Sequence, residues 1–144
     1  PNTLPKILNP KLSPSILNFF KTTVAKEFFS DFLDKSYEQT IRRCQFNLLE
    51  KDSFIGRHLD TDSNPDYQIA CVLQLGRNYS GGEFLVYPNK NSNENEAQII
   101  KAEYGSLTIS YCDIEHEVRH VLCGIRTSLV AFISTYDGIN KKTD

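Results

Sequence analysis

His116-Glu117-Val118-Arg119-His120-Val121-Leu122-Cys123-Gly124-Ile125-Arg126-Thr127-Ser128-Leu129 reads as two extended runs joined at a glycine. Val118, Val121 and Leu122 precede the glycine, and the run from Thr127 continues through Val130, Phe132 and Ile133 to Tyr136. Branched and aromatic residues between turn signals favour strands. The same texture extends back toward the N-terminus in Gln39–Leu49, Phe54–His58, Tyr67–Leu75, Glu83–Tyr87, Gln98–Ala102 and Ser106–Tyr111. Asp52-Ser53, Ser63 to Asp66, Gly76 to Gly82, Pro88 to Glu96, Gly105 and Gly124 punctuate these runs. About eight short strands with regular turns predict a sandwich, jelly roll or barrel, in which the sheets enclose a core and leave an open mouth. The polar stretch Asn89 to Glu96 reads as a mobile surface loop.

Upstream, Ser13-Pro14 is a helix start. Ile16, Leu17, Phe20, Val24, Phe28 and Leu33 follow at helical spacing, predicting an amphipathic helix up to Asp34 that packs on the β core. Phe19, Phe29 and Phe32 widen its apolar face. At 144 residues the chain has room for one domain, spanning 1–144, with helical support over about 13–35 and a β core over about 38–136.

A composition of 40% hydrophobic and 24% charged residues is that of a globular protein and excludes fibrous or disordered classes. Net charge is −2, and the basic pairs Arg42-Arg43 and Lys141-Lys142 make no phosphate-binding stripe, so no nucleic-acid partner is expected. No apolar run approaches the roughly 20 residues needed to span a bilayer, and no basic-then-apolar leader opens the chain. The expectation is a cytoplasmic protein with no membrane partner. Cys44, Cys71, Cys112 and Cys123 form no C-x-x-C pair and read as reduced thiols. Asn78-Tyr79-Ser80 reads as a chance sequon.

The chain has three histidines, and their placement carries the chemistry. In Arg57-His58-Leu59-Asp60-Thr61, residues two apart on a strand share a face, so His58 and Asp60 can present an imidazole and a carboxylate to one point. A histidine from His116 to His120 can complete the set. Two histidines and one carboxylate leave three metal positions open, as in non-haem iron(II) oxygenases, and the same donors also make a catalytic zinc site. The loop Thr61 to Asp66 should lie at the mouth. There Asp62, Asn64 and Asp66 are either contacts for a cationic or amide-bearing substrate or solvated turn residues.

His116, Val118, Val121, Gly124 and Arg126 stand in the register of the prolyl-4-hydroxylase-like branch of the 2-oxoglutarate and iron(II) oxygenases. The resemblance extends through His58-Leu59-Asp60, Ala70 to Leu75, Gly81-Gly82-Glu83-Phe84 and Gly105-Ser106-Leu107, covering roughly Leu49 to Phe132 in order. It implies a double-stranded β-helix, an iron triad of His58, Asp60 and His116, and His120 outside the metal's ligands. It also implies Fe(II), 2-oxoglutarate and O2, with ascorbate as an accessory reductant. Arg126, with Ser128 facing the same way, would bind the distal carboxylate of 2-oxoglutarate.

The activity implied is hydroxylation of a C–H bond with release of succinate and CO2, the substrate being a prolyl or other residue of a peptide or protein. A free amino acid or small metabolite is the alternative substrate, and a metal-binding cupin-like module without turnover is the alternative role. Two positions depart from the family pattern: Leu49 stands where many relatives carry a tyrosine that touches 2-oxoglutarate, and Asp52 where they carry a glycine. Tyr104 and Tyr111 are candidates to replace that tyrosine. Asp60 argues against the halogenating relatives, in which a small residue opens a position for halide. Gly81-Gly82 reads as a tight structural turn.

Overall fold

A computed structural model describes residues 6–7, 13–34 and 36–136. Two antiparallel sheets face each other. The larger has the order β1-β2-β11-β4-β8, built from Lys6–Ile7 (β1), Thr40–Leu49 (β2), Ile69–Gln74 (β4), Leu107–Tyr111 (β8) and Arg126–Ser134 (β11). The smaller has the order β3-β9-β6-β7, from Ile55–His58 (β3), Phe84–Val86 (β6), Gln98–Ile100 (β7) and His116–Val118 (β9). Ser80–Gly81 (β5) and Val121–Cys123 (β10) form a two-stranded ribbon. The mainly β, jelly-roll reading of the sequence is therefore the architecture found.

Alternation along β11 organises the interior, because successive side chains of a strand point to opposite faces. Arg126, Ser128, Val130 and Phe132 look into the space between the sheets. Ladder pairing extends them into rows: Asn47-Ser128-Gln74, then Gln45-Val130-Val72, then Arg43-Phe132-Ala70. Ala131 and Ile133 face the other way, into a core shared with Ile69, Cys71, Ala25, Phe29 and Leu33. Each large aliphatic side chain buried there contributes about 1.5–3 kcal/mol.

The helical segment differs from the single helix read in the sequence. It is broken into Ser13–Phe20 (α1) and Thr23–Phe29 (α2), because Thr22 leaves the helical path and its hydroxyl accepts the Ala25 N–H at 3.3 Å. A threonine there caps a new helix more readily than it continues the old one. The buried face is Ala25, Phe29 and Leu33, while Val24 and Phe28 of the expected face are exposed. The side chains of Ile16 and Leu17 lie outside the described residues.

Two other readings change. The run His116 to Leu122 is two strands, turning at Arg119-His120 so that β9 pairs with β3 and β6 while β10 pairs with β5. The loop expected to be mobile is pinned: the Arg57 guanidinium donates to the carbonyls of Ser92 (2.6 Å) and Lys90 (2.8 Å), pairs with Glu115, and lies 3.7 Å over the Tyr87 ring. Ser92 is buried as a result.

Candidate active site

His58 ends β3 and His116 begins β9, directly opposite each other in the ladder. Their rings sit 4.5 Å apart. Asp60 is not two positions along the same strand, as its spacing suggested. The chain leaves β3 after His58, and Asp60 opens a 3-10 turn over Asp60–Asp62. That turn swings the buried carboxylate between the imidazoles, with Oδ1 3.5 Å from His58 Nε2 and Oδ2 3.5 Å from His116 Nε2. One ligand atom from each of the three residues lies within 4.8 Å of the others, which is metal-binding geometry.

Each imidazole is aimed by its other nitrogen. His58 Nδ1 donates to the Gly56 carbonyl and His116 Nδ1 to the Ile114 carbonyl, both at 2.8 Å. A carbonyl only accepts, so the proton sits on Nδ1 and the Nε2 lone pair faces the site. Burial pushes the Asp60 carboxyl upward, but the two imidazoles together hold it down at about 2. The Asp60 hydrogen bond raises His58 above its usual value, against the opposing effect of burial. At neutral pH the carboxylate is ionised and ready to bind a cation. His120 is exposed and lies tilted against Phe54, ring centroids 4.4 Å apart, outside this cluster.

A second feature lies along the same cavity, which measures about 440 Å³. Arg126 is only 3% exposed, and among the described residues no carboxylate pairs with it. Burial pulls its guanidinium below the ordinary arginine value, with neighbouring Tyr79 opposing the shift. Arg126 Nε, Ser128 Oγ and Gln74 Oε1 are all buried and have no hydrogen-bond partner. Buried polar atoms are almost always satisfied, so three orphans lining one end of a cavity mark the seat of a polar ligand. A guanidinium fork beside a hydroxyl suits a carboxylate. The donor set thus fits both groups that the sequence implied, Fe(II) at the triad and 2-oxoglutarate beside it.

Gln74 was missed in the sequence, although it shares a face with Val72 and Ala70, two and four residues back on β4. Neither tyrosine nominated to replace the one absent at Leu49 lines the cavity: Tyr104 stacks under Arg77 at 3.8 Å, and Tyr111 is exposed. Tyr79, which donates its hydroxyl hydrogen to the Ala102 carbonyl, is the tyrosine beside Arg126. Leu49 stands opposite Arg126 in the ladder and packs with Phe84, Val118 and Val121.

The turn Gly81-Gly82 is structural, as read. A Cβ on Gly81 would overlap the His120 carbonyl oxygen, and one on Gly82 would meet Arg126 Cδ at 2.8 Å. Of the loop polar residues, Asn64 is buried and its Oδ1 accepts the Asp66 N–H, while Asp66 pairs with Arg42 at 3.3 Å. Asp62 alone of the three lines the cavity.

A centre that leaves one side of its metal open admits a chelating co-substrate and dioxygen together, which is the arrangement of the non-haem iron(II) oxygenase class. The chain belongs to the 2OG-Fe(II) oxygenase superfamily, whose family model matches residues 44–134. Among solved structures it is similar to a 2OG-Fe(II) oxygenase family oxidoreductase from Burkholderia pseudomallei, with 41% identity and a TM-score of 0.84 over 96% of this chain. It spans 66% of that protein's length. A Pseudomonas putida prolyl-4-hydroxylase shares the fold at TM-score 0.66 and 18% identity, over 91% of this chain and 69% of its own. A Trichoplax adhaerens prolyl hydroxylase, solved with a hypoxia inducible factor oxygen degradation domain peptide fragment, shares it at TM-score 0.55 and 20% identity, over 70% of this chain and 47% of its own. No curated protein matches the sequence.

Proposed function

We propose that the chain is a single oxygenase domain that hydroxylates a C–H bond of a prolyl or other residue in a peptide or protein. One oxygen atom of O2 enters that bond and the other enters succinate, as 2-oxoglutarate loses CO2. The observation that carries this reading is the buried Arg126, with no carboxylate partner among the described residues, beside Ser128 on the strand that also floors the triad's cavity. A metal-binding module without turnover has no need of that fork.

In this reading His58, Asp60 and His116 hold the iron through two Nε2 atoms and a carboxylate oxygen. Arg126 and Ser128 fix the distal carboxylate of 2-oxoglutarate, which orients its keto acid end toward the triad. Fe(II), when bound, supplies the activation of O2. Val72, Val130 and Phe132, on the cavity floor, exclude water from the reacting end. The prolyl hydroxylases that share the fold support a peptide or protein substrate. No helix among the described residues is long and apolar enough to cross a membrane, and a cytoplasmic location is proposed.

Anaerobic titration of the Fe(II)-loaded protein with 2-oxoglutarate tests the assignment. A visible charge-transfer band that needs far more 2-oxoglutarate in Arg126→Ala supports it. Bound iron that never develops the band sinks it.

A further inference from the structure

The cavity has a second guanidinium, at the end away from Arg126. Arg43 lines it from β2, opposite Phe132 in the ladder. Phe132 stands six residues beyond Arg126 on β11, about 20 Å of extended chain. The triad lies between these ends. On one side, Val118 of the His116 strand packs with Leu49, the ladder partner of Arg126. On the other, the turn carrying Asp60 is tied by the Thr61 N–H to the Cys112 carbonyl at 3.2 Å, and Cys112 packs with Val130 and Phe132. One arginine therefore lies at the end of the cavity that the co-substrate reading uses, and the other at the opposite end, across the triad.

Arg42 and Arg43 are adjacent and differ in their partners. Arg42 is buried and held by the Tyr136 carbonyl at 2.7 Å and by Asp66. Arg43 is half-buried, and among the described residues it makes no hydrogen bond or ion pair. The acids nearest in function are committed elsewhere: Asp60 to the two histidines, and Asp62 to the Leu59 N–H at 3.3 Å. Ser110 lies in the same row as Arg43, through Phe132 and Ala70, and also lines the cavity. A partly desolvated cation with a hydroxyl in its row, lining the cavity at the end away from Arg126, suits an anion.

We infer that Arg43 is the specificity residue of this enzyme and that its substrate carries a carboxylate near the carbon to be hydroxylated. The inference rests on the oxygenase reading above. The carboxylate has two sources, the acidic side chain of a peptide residue next to the target or the α-carboxylate of a free amino acid, and the anchor is the same for both.

Four probes separate the sources: N-acetyl-Pro-Glu-amide against N-acetyl-Pro-Gln-amide, and L-proline against L-prolinamide. Succinate formed above the substrate-free rate is measured for each, alongside the 2-oxoglutarate charge-transfer band. The acid of one pair is expected to be turned over at least about tenfold more efficiently than its amide, mostly through KM, and Arg43→Gln to erase that difference. Arg43→Lys, which keeps the charge, is expected to retain part of it. Preference in the first pair assigns the peptide source, and preference in the second the free amino acid. Equal use of acid and amide, an acid preference that survives Arg43→Gln, or turnover of none of the four by protein that forms the band overturns the inference. Absence of the band instead strikes the oxygenase reading beneath it.

Discussion

Asp60 Oδ2 lies 3.5 Å from His116 Nε2, is buried, and has no hydrogen-bond donor of its own. A carboxylate oxygen kept dry and undonated beside two imidazole lone pairs is completed by a cation. Asp60→Ala is therefore expected to weaken Fe(II) binding by at least about 100-fold and to abolish substrate-dependent succinate formation. Anaerobic metal titration checks the first outcome and a turnover assay the second. Iron binding within a few-fold of the native protein would remove Asp60 from the ligand set.

Iron affinity should also depend on pH in a defined direction. Asp60 raises His58 above the usual imidazole value of 6.5, and the metal must displace that proton. Affinity is thus full at higher pH and begins to fall while the pH is still above 6.5, by about tenfold per pH unit once one proton is displaced. Asp60, at about 2, stays ionised throughout this window and adds nothing to the slope. Anaerobic titrations at several pH values would show it, and a flat profile across this range would contradict it.

Arg126→Ala removes a charge-assisted fork worth about 1.5–3 kcal/mol, so 2-oxoglutarate affinity should fall by roughly 10- to 150-fold while iron affinity stays nearly unchanged. Arg126→Lys is expected to recover little of it, because an ammonium lacks the planar fork. Ser128→Ala should cost less, about 1 kcal/mol, or roughly fivefold. Titration of the charge-transfer band reads all three.

Gly82→Ala acts on the same ligand from a distance. The residue has φ +68°, and the added methyl would meet Arg126 Cδ at 2.8 Å. The variant should lose about 1–3 kcal/mol of stability and bind 2-oxoglutarate more weakly, with the triad untouched. Melting temperature and the band titration test this together, and unchanged 2-oxoglutarate affinity would separate the turn from Arg126.

Arg57→Ala should release the loop that the sequence reads as mobile. Faster amide exchange and protease cleavage are expected at Asn89 to Ser92, where the guanidinium now engages three backbone carbonyls. Protection equal to that of the native loop would show that Arg57 does not hold it.

Residues whose partners lie close in the chain, or whose role follows strand alternation, were the legible ones. His58 was singled out by its spacing to Asp60 and His116 by its offsets from Val118, Val121, Gly124 and Arg126, and the ladder sets the two histidines opposite each other. Asp60 joins the two histidines, but not by the strand alternation its spacing suggested, since a turn supplies its direction. The helix face was misread because Thr22 restarts the helix and rotates which side chains meet the sheet. The loop anchor was hidden because Arg57 and Ser92 are 35 residues apart in sequence. Gln74 was overlooked because a polar residue ending an apolar strand looks like its boundary, and only the row it forms with Ser128 gives it a role. The two-residue strand β1 is too short to carry any periodic signal.

Arg126 Nε, Ser128 Oγ and Gln74 Oε1 give up water on folding and receive nothing from the chain in return. A ligand that supplies the missing partners binds the folded state alone, so it shifts the folding equilibrium by mass action. At a hundred times its dissociation constant, 2-oxoglutarate would add about 2.7 kcal/mol, a sizeable share of the 5–15 kcal/mol typical of a domain. The lifetime of this protein would then follow the supply of a central metabolite, and starvation for it would remove the enzyme as well as idle it.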